Sequence, residues 1–224
     1  ISLESGGTVQ IRGEIDRVDI LEENGKRYVR VVDYKSGNKK FSLSDVLYGL
    51  NLQMFVYLFT LCNDKSSEFS GIPAGVLYMH AARSVWGADR NIDEKSVFSE
   101  ENREFRMKGI VLYDEEHNIL KSMEKDLKGN YIPVKYTNKN GISGCFASLQ
   151  ELGAISRNVE KLVADMGNLL QNGRIEQNPI NGKNHDKTCE FCDYSSVCAN
   201  RRIIENRIME ELSDSAVLEK LKEE

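Results

Sequence analysis

The eight residues from Tyr28 to Lys35 (YVRVVDYK) constrain this chain more than any other stretch. They are β-branched and aromatic and stop at Ser36-Gly37, which reads as a strand closed by a turn. Asp33 and Lys35 sit two apart, so both side chains leave the same face of that strand. Upstream, Val9–Arg12 and Glu14–Ile20 alternate apolar with polar residues at the period of a half-buried strand, and Glu22-Glu23-Asn24-Gly25 reads as a hairpin turn. Paired across that turn, Asp16 reaches the same spot as Asp33. Two carboxylates and a lysine converging at a strand end are unusual, because charged groups at buried positions are costly unless paired or bound to metal.

Such a trio has a chemical use. Carboxylate oxygens suit Mg2+ or Mn2+, which keep several waters and share the rest of their coordination with a substrate phosphate. A lysine beside the metal can orient the attacking water and offset charge developing on phosphorus. Alone, Asp-x-Lys reads most simply as a surface ion pair. The residues that follow argue for more. Ser42-Leu43-Ser44-Asp45 offers N-cap residues, and the apolar run from Val46 to Leu61 predicts one helix reaching Cys62-Asn63. Gln53 and Tyr57, at i and i+4, then share a face with Val46 and Leu50. A glutamine on that face is costly without a partner, so it reads either as aimed at the phosphate site or as a partly exposed Gln beside a core Tyr.

Taken together, GEIDRVD, VVDYKSG and LQMFVY resemble the RecB-like branch of the PD-(D/E)XK nuclease superfamily. The resemblance implies an α/β, restriction-endonuclease-like fold, a central mixed sheet flanked by helices, and metal-dependent hydrolysis of DNA phosphodiesters. It assigns the metal (Mg2+ or Mn2+) to Asp16 and Asp33, with the Tyr34 carbonyl as a further ligand. It makes Lys35 catalytic and lays Gln53 and Tyr57 beside the DNA. The His that these nucleases carry upstream of the first strand has no counterpart in the sequence.

A second cluster, Cys189, Cys192 and Cys198, is spaced C-x2-C-x5-C. Three soft thiolates within ten residues suit zinc or an iron–sulfur cluster, and His185 could complete a zinc set. By resemblance to the AddB-type proteins of helicase–nucleases and to CRISPR-associated RecB-like exonucleases, these cysteines supply three ligands of a [4Fe–4S] cluster. The fourth ligand in those relatives precedes the nuclease strands, and no cysteine precedes Cys62 here. Cys62 reads as a buried small residue and Cys145 as a loop residue. The phrases PAGVLYMHAA (a strand from Pro73) and FRMKGIVLYDEE (an extended segment from Phe105) favour the AddB type. That likeness implies DNA and an AddA-type helicase–nuclease subunit as partners, in double-strand break end processing. The alternatives are another RecB-like exonuclease, phage or CRISPR-associated, and a non-catalytic DNA-binding scaffold stapled by iron–sulfur. His80 reads as an ordinary strand histidine.

The chain's 224 residues, 40% of them apolar, suit one globular core. Residues 1–200 read as the nuclease-like domain and 201–224 as an acidic helical tail. Ser148 to Asn172 carries Leu149, Leu152, Ile155, Val159, Leu162 and Val163 at helical spacing and reads as one long helix. Asp64–Glu68 and Asp89–Arg103 read as polar loops. No stretch is long and apolar enough for a membrane span, and cysteine usage points to a reducing cytoplasm. Ile rather than Met at position 1 reads as a piece of a longer protein. The formal charge of −5 sits awkwardly with a DNA partner. Acidic residues nevertheless crowd the C-terminal stretch, from Glu205 to Glu224, whereas Arg12, Arg17, Lys35, Lys39 and Lys40 lie around the proposed site.

Overall fold

A computed structural model describes the chain except for residues 5, 38–39, 83–104, 175, 177, 182–188, 191, 199–206 and 224, with the backbone alone at 181. Lys39, the stretch from Asp89 to Arg103, His185, Glu205 and Glu224 lie outside the described residues.

The hairpin forms as its residues require. Strand β1 (Arg17–Glu23) and strand β2 (Lys26–Lys35) pair antiparallel from Arg17↔Val32 to Glu23↔Lys26. Between them Asn24 (φ 52°) and Gly25 (φ 71°) both take left-handed backbone, the Asn-Gly turn whose twist suits a two-residue hairpin. Helices α1 (Leu43–Leu47) and α2 (Gln53–Asn63) follow, then β3 (Ile72–His80), β4 (Lys108–Leu112) and helix α3 (Asn118–Met123). A small hairpin of β5 (Val134–Thr137) and β6 (Gly141–Gly144) leads to β7 (Phe146–Ala147) and the long helix α4 (Leu149–Gln171). Last come β8 (Ile180–Asn181), β9 (Arg207–Ile208) and helix α5 (Asp214–Glu223).

The main sheet runs β1-β2-β3-β4-β7. Its pairs alternate antiparallel, parallel, antiparallel and parallel, so it is mixed. Period-two alternation sends Val29, Val31, Val76, Tyr78 and Ile110 to one face, against α1, α2, α4 and α5. Val32, Leu77 and Val111 face the other way, onto Leu120, Ile132 and Val134. A central sheet buried on both faces explains why β2 reads as nearly continuous apolar residues until Asp33.

Two expectations need correction. Val9–Arg12 and Glu14–Ile15 belong to no strand of the sheet; among the described residues the stretch before β1 forms one bridge, Ser2–Thr8, and β1 begins at Arg17. The stretch packs on helices instead. Gln171 Nε2 donates to Gly6 O at 2.8 Å, and a Cβ on Gly167 would lie 2.4 Å from Val9. Of the alternating apolar residues, Val9 lies on α4, Ile11 is exposed and Ile15 packs against the main core, so the alternation marks no ladder. The single helix expected from Val46 onward is also broken. Gly49 (φ 84°) and Asn51 (φ 54°) reverse the chain, while Asn51 Nδ2 donates to Asp45 Oδ2 at 2.6 Å and Leu50 N to Asp45 O at 2.7 Å. Val46 and Leu50 therefore do not share a helix face with Gln53 and Tyr57.

Helix α4 matches its expected bounds closely, because its start carries a capping box. Ser148 Oγ accepts from Glu151 N while Glu151 Oε2 accepts from Ser148 N at 2.7 Å. Lys222 of α5 lies 2.8 Å from Glu151, and Val217, Leu218 and Leu221 are buried in the main core, so the acidic stretch packs into the body at this end. Ser148→Ala should cost about 1 kcal/mol. In urea unfolding the midpoint should fall with an unchanged slope; an unmoved midpoint would show that the cap contributes nothing.

Candidate active site

Asp33 and Lys35 continue the row that buries Val29 and Val31, so they emerge on the α2 side of the sheet where β2 leaves the core. Asp33 is 7% exposed. Its Oδ2 is buried and faced by Lys35 Nζ at 2.6 Å, yet receives no hydrogen bond of good geometry. That leaves the oxygen with acceptor capacity in a low-dielectric place, which is costly unless a cation completes it.

Asp16 arrives from the other side. It precedes β1 by one residue, and continuing the register past Arg17↔Val32 sets it opposite Asp33. The contact is fixed: Asp16 Oδ2 accepts from Tyr34 N at 2.9 Å, between Asp33 and Lys35 in sequence. Arg17 is turned away from the carboxylates. Its Nε donates to Asp19 Oδ1 at 2.7 Å, and its Nη1 to the Tyr34 hydroxyl at 3.4 Å. Asp19 also accepts from Arg30 at 2.8 Å; burial raises its pKa, but the two guanidiniums outweigh that and hold the carboxyl below its usual range.

Helix α2 supplies the third wall. Gln53 is exposed, and its Nε2 donates to the Tyr57 hydroxyl at 3.0 Å, so the i, i+4 pair forms a hydrogen-bonded unit. Tyr57 in turn abuts the GEID segment: a Cβ on Gly13 would lie 2.0 Å from the Tyr57 hydroxyl oxygen. A side chain at position 13 would force the Tyr57 ring to move, and no local sequence signal shows this contact. Across the sheet, the parallel register sets Tyr78 beside Asp33 and His80 beside Lys35. Burial pushes the Tyr78 hydroxyl pKa up to about 12, with the charges of Asp33 and Asp45 adding to the effect. Neither Tyr78 nor Asp45 stood out in the sequence, because each reads locally as a strand aromatic and a helix-start acid.

The chemistry of this donor set is hard oxygen: two carboxylates within reach of one backbone segment, beside an ammonium. Among the described residues no group of three or more His, Cys, Asp or Glu side chains is placed to hold a metal. Two side chains plus a backbone carbonyl fall below that count and suit a cation that keeps its waters. The three cysteines do not converge either. Cys189 and Cys192 are exposed, Cys198 is half-buried, and none of the three forms a disulfide among the described residues. An iron–sulfur cluster thus rests on their spacing alone. Cys62 is buried as expected, and Cys145 is half-buried in the bend between β6 and β7, its thiol pKa raised by burial and by the adjacent Asp214. Among the described residues no helix is long and apolar enough to cross a membrane.

The sequence profile of the PD-(D/E)XK nuclease superfamily matches residues 1–199. The chain is similar to the B subunit of the ATP-dependent helicase/deoxyribonuclease of Clostridium novyi (strain NT), 36% identical over all of this chain and 20% of the relative. Similar proteins of the same description come from Thermoanaerobacter sp. (strain X514), 35% identical over 88% of this chain and 17% of the relative, and Alkaliphilus oremlandii (strain OhILAs), 34% identical over 100% and 20%. The chain spans about a fifth of the length of these curated relatives.

The Gly13–Tyr57 contact should behave as a coupled pair. Gly13→Ala alone should lower both stability and any activity of the site, and in a double-mutant cycle with Tyr57→Ala the coupling should reach about 1 kcal/mol, since truncating the ring makes room for the methyl. Strict additivity in thermal unfolding would show that this contact does not position Asp16.

Proposed function

The chain belongs to the PD-(D/E)XK nuclease superfamily, and from that premise we propose that it hydrolyses DNA phosphodiester bonds with Mg2+ or Mn2+, as the nuclease part of an AddB-type protein. The observation that carries this reading is the bond from Tyr34 N to the Asp16 carboxylate, which ties the phrases GEID and VDYK into one oxygen-rich spot beside Lys35.

In this reading Asp16, Asp33 and the Tyr34 carbonyl would hold the cation. When bound, it supplies Lewis-acid polarisation of the phosphate and a more acidic water. Lys35 does the rest from the protein side: its ammonium, held near Asp33, orients the attacking water and offsets charge that grows on the phosphoryl oxygens. Gln53 and Tyr57 face the strand to be cut as one unit. The Tyr57 hydroxyl accepts the Gln53 amide proton, which leaves its own proton and the second Gln53 N–H for phosphate or sugar oxygens. Positioning and electrostatics then supply most of the rate, as phosphoryl chemistry requires.

The wider setting follows from the relatives. One subunit of a helicase/deoxyribonuclease acts alongside another, so the partners proposed here are DNA and an AddA-type subunit, in cytoplasmic processing of double-strand break ends. Strands delivered by a helicase need little affinity from the nuclease, which fits a net charge of −5. The three thiols of Cys189, Cys192 and Cys198 have the softness an iron–sulfur cluster requires, and that cofactor is retained as part of the proposal for the longer protein.

Asp33→Asn keeps the side-chain shape and removes the charge. It should lower Mg2+-dependent cleavage of a labelled oligodeoxynucleotide more than about 100-fold, with the thermal midpoint preserved. Chelation by EDTA should abolish the parent activity and added Mg2+ restore it. Undiminished cleavage by pure Asp33→Asn protein would sink the assignment.

A further inference from the structure

A cleft of about 400 Å3 opens beside the proposed site, lined by Lys40, Phe41, Arg106 and Lys108, with Cys145 and Asp214 among its other walls. Its place follows from strand register. Asp33 pairs with Tyr78, and Tyr78 pairs with Lys108, so the three stand side by side across β2, β3 and β4. Two strand spacings put Lys108 roughly 10 Å from Asp33 at the backbone, the reach of a neighbouring phosphate rather than of the one being cut. The Phe41 ring, 6.4 Å from that of Tyr78, bridges the two places.

One cation of this cleft, Arg106, is held in place. Arg106 Nε donates to Ile132 O at 3.1 Å, Met107 N to Tyr131 O at 2.9 Å, and the backbone N–H groups of Asn130, Tyr131 and Ile132 all donate to the buried Glu124 carboxylate. The guanidinium is thereby fixed at one edge with its terminal nitrogens left for something else. Among the described residues neither Arg106 nor Lys40 is ion-paired with a carboxylate. Asp214, the acid in the cleft wall, is engaged with the Cys145 thiol. In a chain of net charge −5, three cations against the single acid Asp214 around one aromatic make this cleft net positive. A volume near 400 Å3 suits one small-molecule-sized group.

Resting on the nuclease reading above, we infer that this cleft is a nucleotide subsite for the strand being cut. Arg106 and Lys108 hold the phosphate next to the scissile one, Lys40 adds positive potential at the mouth, and Phe41 carries the adjoining base by stacking. Charge plus a π-face is how single strands are gripped without sequence preference. Asp214 marks the end of the subsite, because its carboxylate repels a further phosphate.

The test uses Lys108→Gln, Arg106→Gln, the double variant, and Lys161→Gln on the exposed surface of α4 as a charge control. With a fluorescein-labelled oligodeoxynucleotide and Mg2+, each cleft variant should raise KM about tenfold. The slope of log affinity against log salt should become shallower by about one for each cation removed. Lys161→Gln should leave both unchanged. Lys108 is exposed, so its variant remains informative even where loss of the Arg106–Ile132 bond unsettles the loop. A parent KM and salt slope in the double variant, a loss confined to kcat, or an equal effect of Lys161→Gln overturns the subsite. Should the parent cleave nothing, the nuclease reading fails separately. Anisotropy titration of the same oligonucleotide then decides the subsite: a double variant with parent affinity and slope refutes it, and a slope shallower by about two upholds it.

Discussion

One row of side chains on β2 organises this molecule: Val29 and Val31 buried at the centre of the sheet, then Asp33 and Lys35 on the same face as the strand runs out. Because strand period is fixed at two, the apolar half of the row dictates where the charged half points. A slip of one residue would turn Asp33 into the opposite face and take Val29 and Val31 out of their packing against the helices of the main core. The fold therefore cannot form its core without setting Asp33 and Lys35 at the mouth between the sheet and α2. Parallel pairing with β3 and antiparallel pairing with β1 lock that register from both sides.

The remaining parts of the site are brought in by close approach. Asp16 lies outside the sheet, and two contacts bring it there: its own carboxylate on Tyr34 N, and the bare backbone of Gly13 against Tyr57. Gly167 does the same further upstream, letting Val9 and Leu3 lie on α4. Two small residues thus allow an irregular segment to pack as closely as a strand. The energetic logic is local. Among the described residues the buried Asp33 oxygen has the Lys35 ammonium at 2.6 Å and no further donor, which leaves acceptor capacity for a cation.

Much of this was legible in the sequence, for identifiable reasons. β2, the Asn24-Gly25 turn, β3 and α4 carry strong local signals, respectively β-branched alternation, left-handed turn residues, an apolar run and a capping box with 3.6-residue spacing. The proximity of Asp16 to Asp33 followed from hairpin register, even though the strand was expected to begin too early. What misled was alternation in Val9–Ile15, which helix contacts mimic, and the apolar run through Val46–Leu61, whose break depends on Gly49 and Asn51 adopting positive φ. The Arg106 anchorage and the packing of Cys145 against Asp214 could not be read locally, because each joins residues distant in sequence. Net charge is a weak guide here, because it averages over a surface on which Lys40, Arg106 and Lys108 line a single cleft.

The central claim is that Asp16, Asp33 and the Tyr34 carbonyl form one hard-oxygen cation site at the end of β2. Anomalous scattering from crystals grown with Mn2+ tests it most directly. The expected result is a Mn2+ peak in contact with both carboxylates and with the Tyr34 carbonyl oxygen. No peak there, or Mn2+ bound only elsewhere on the chain, would contradict it.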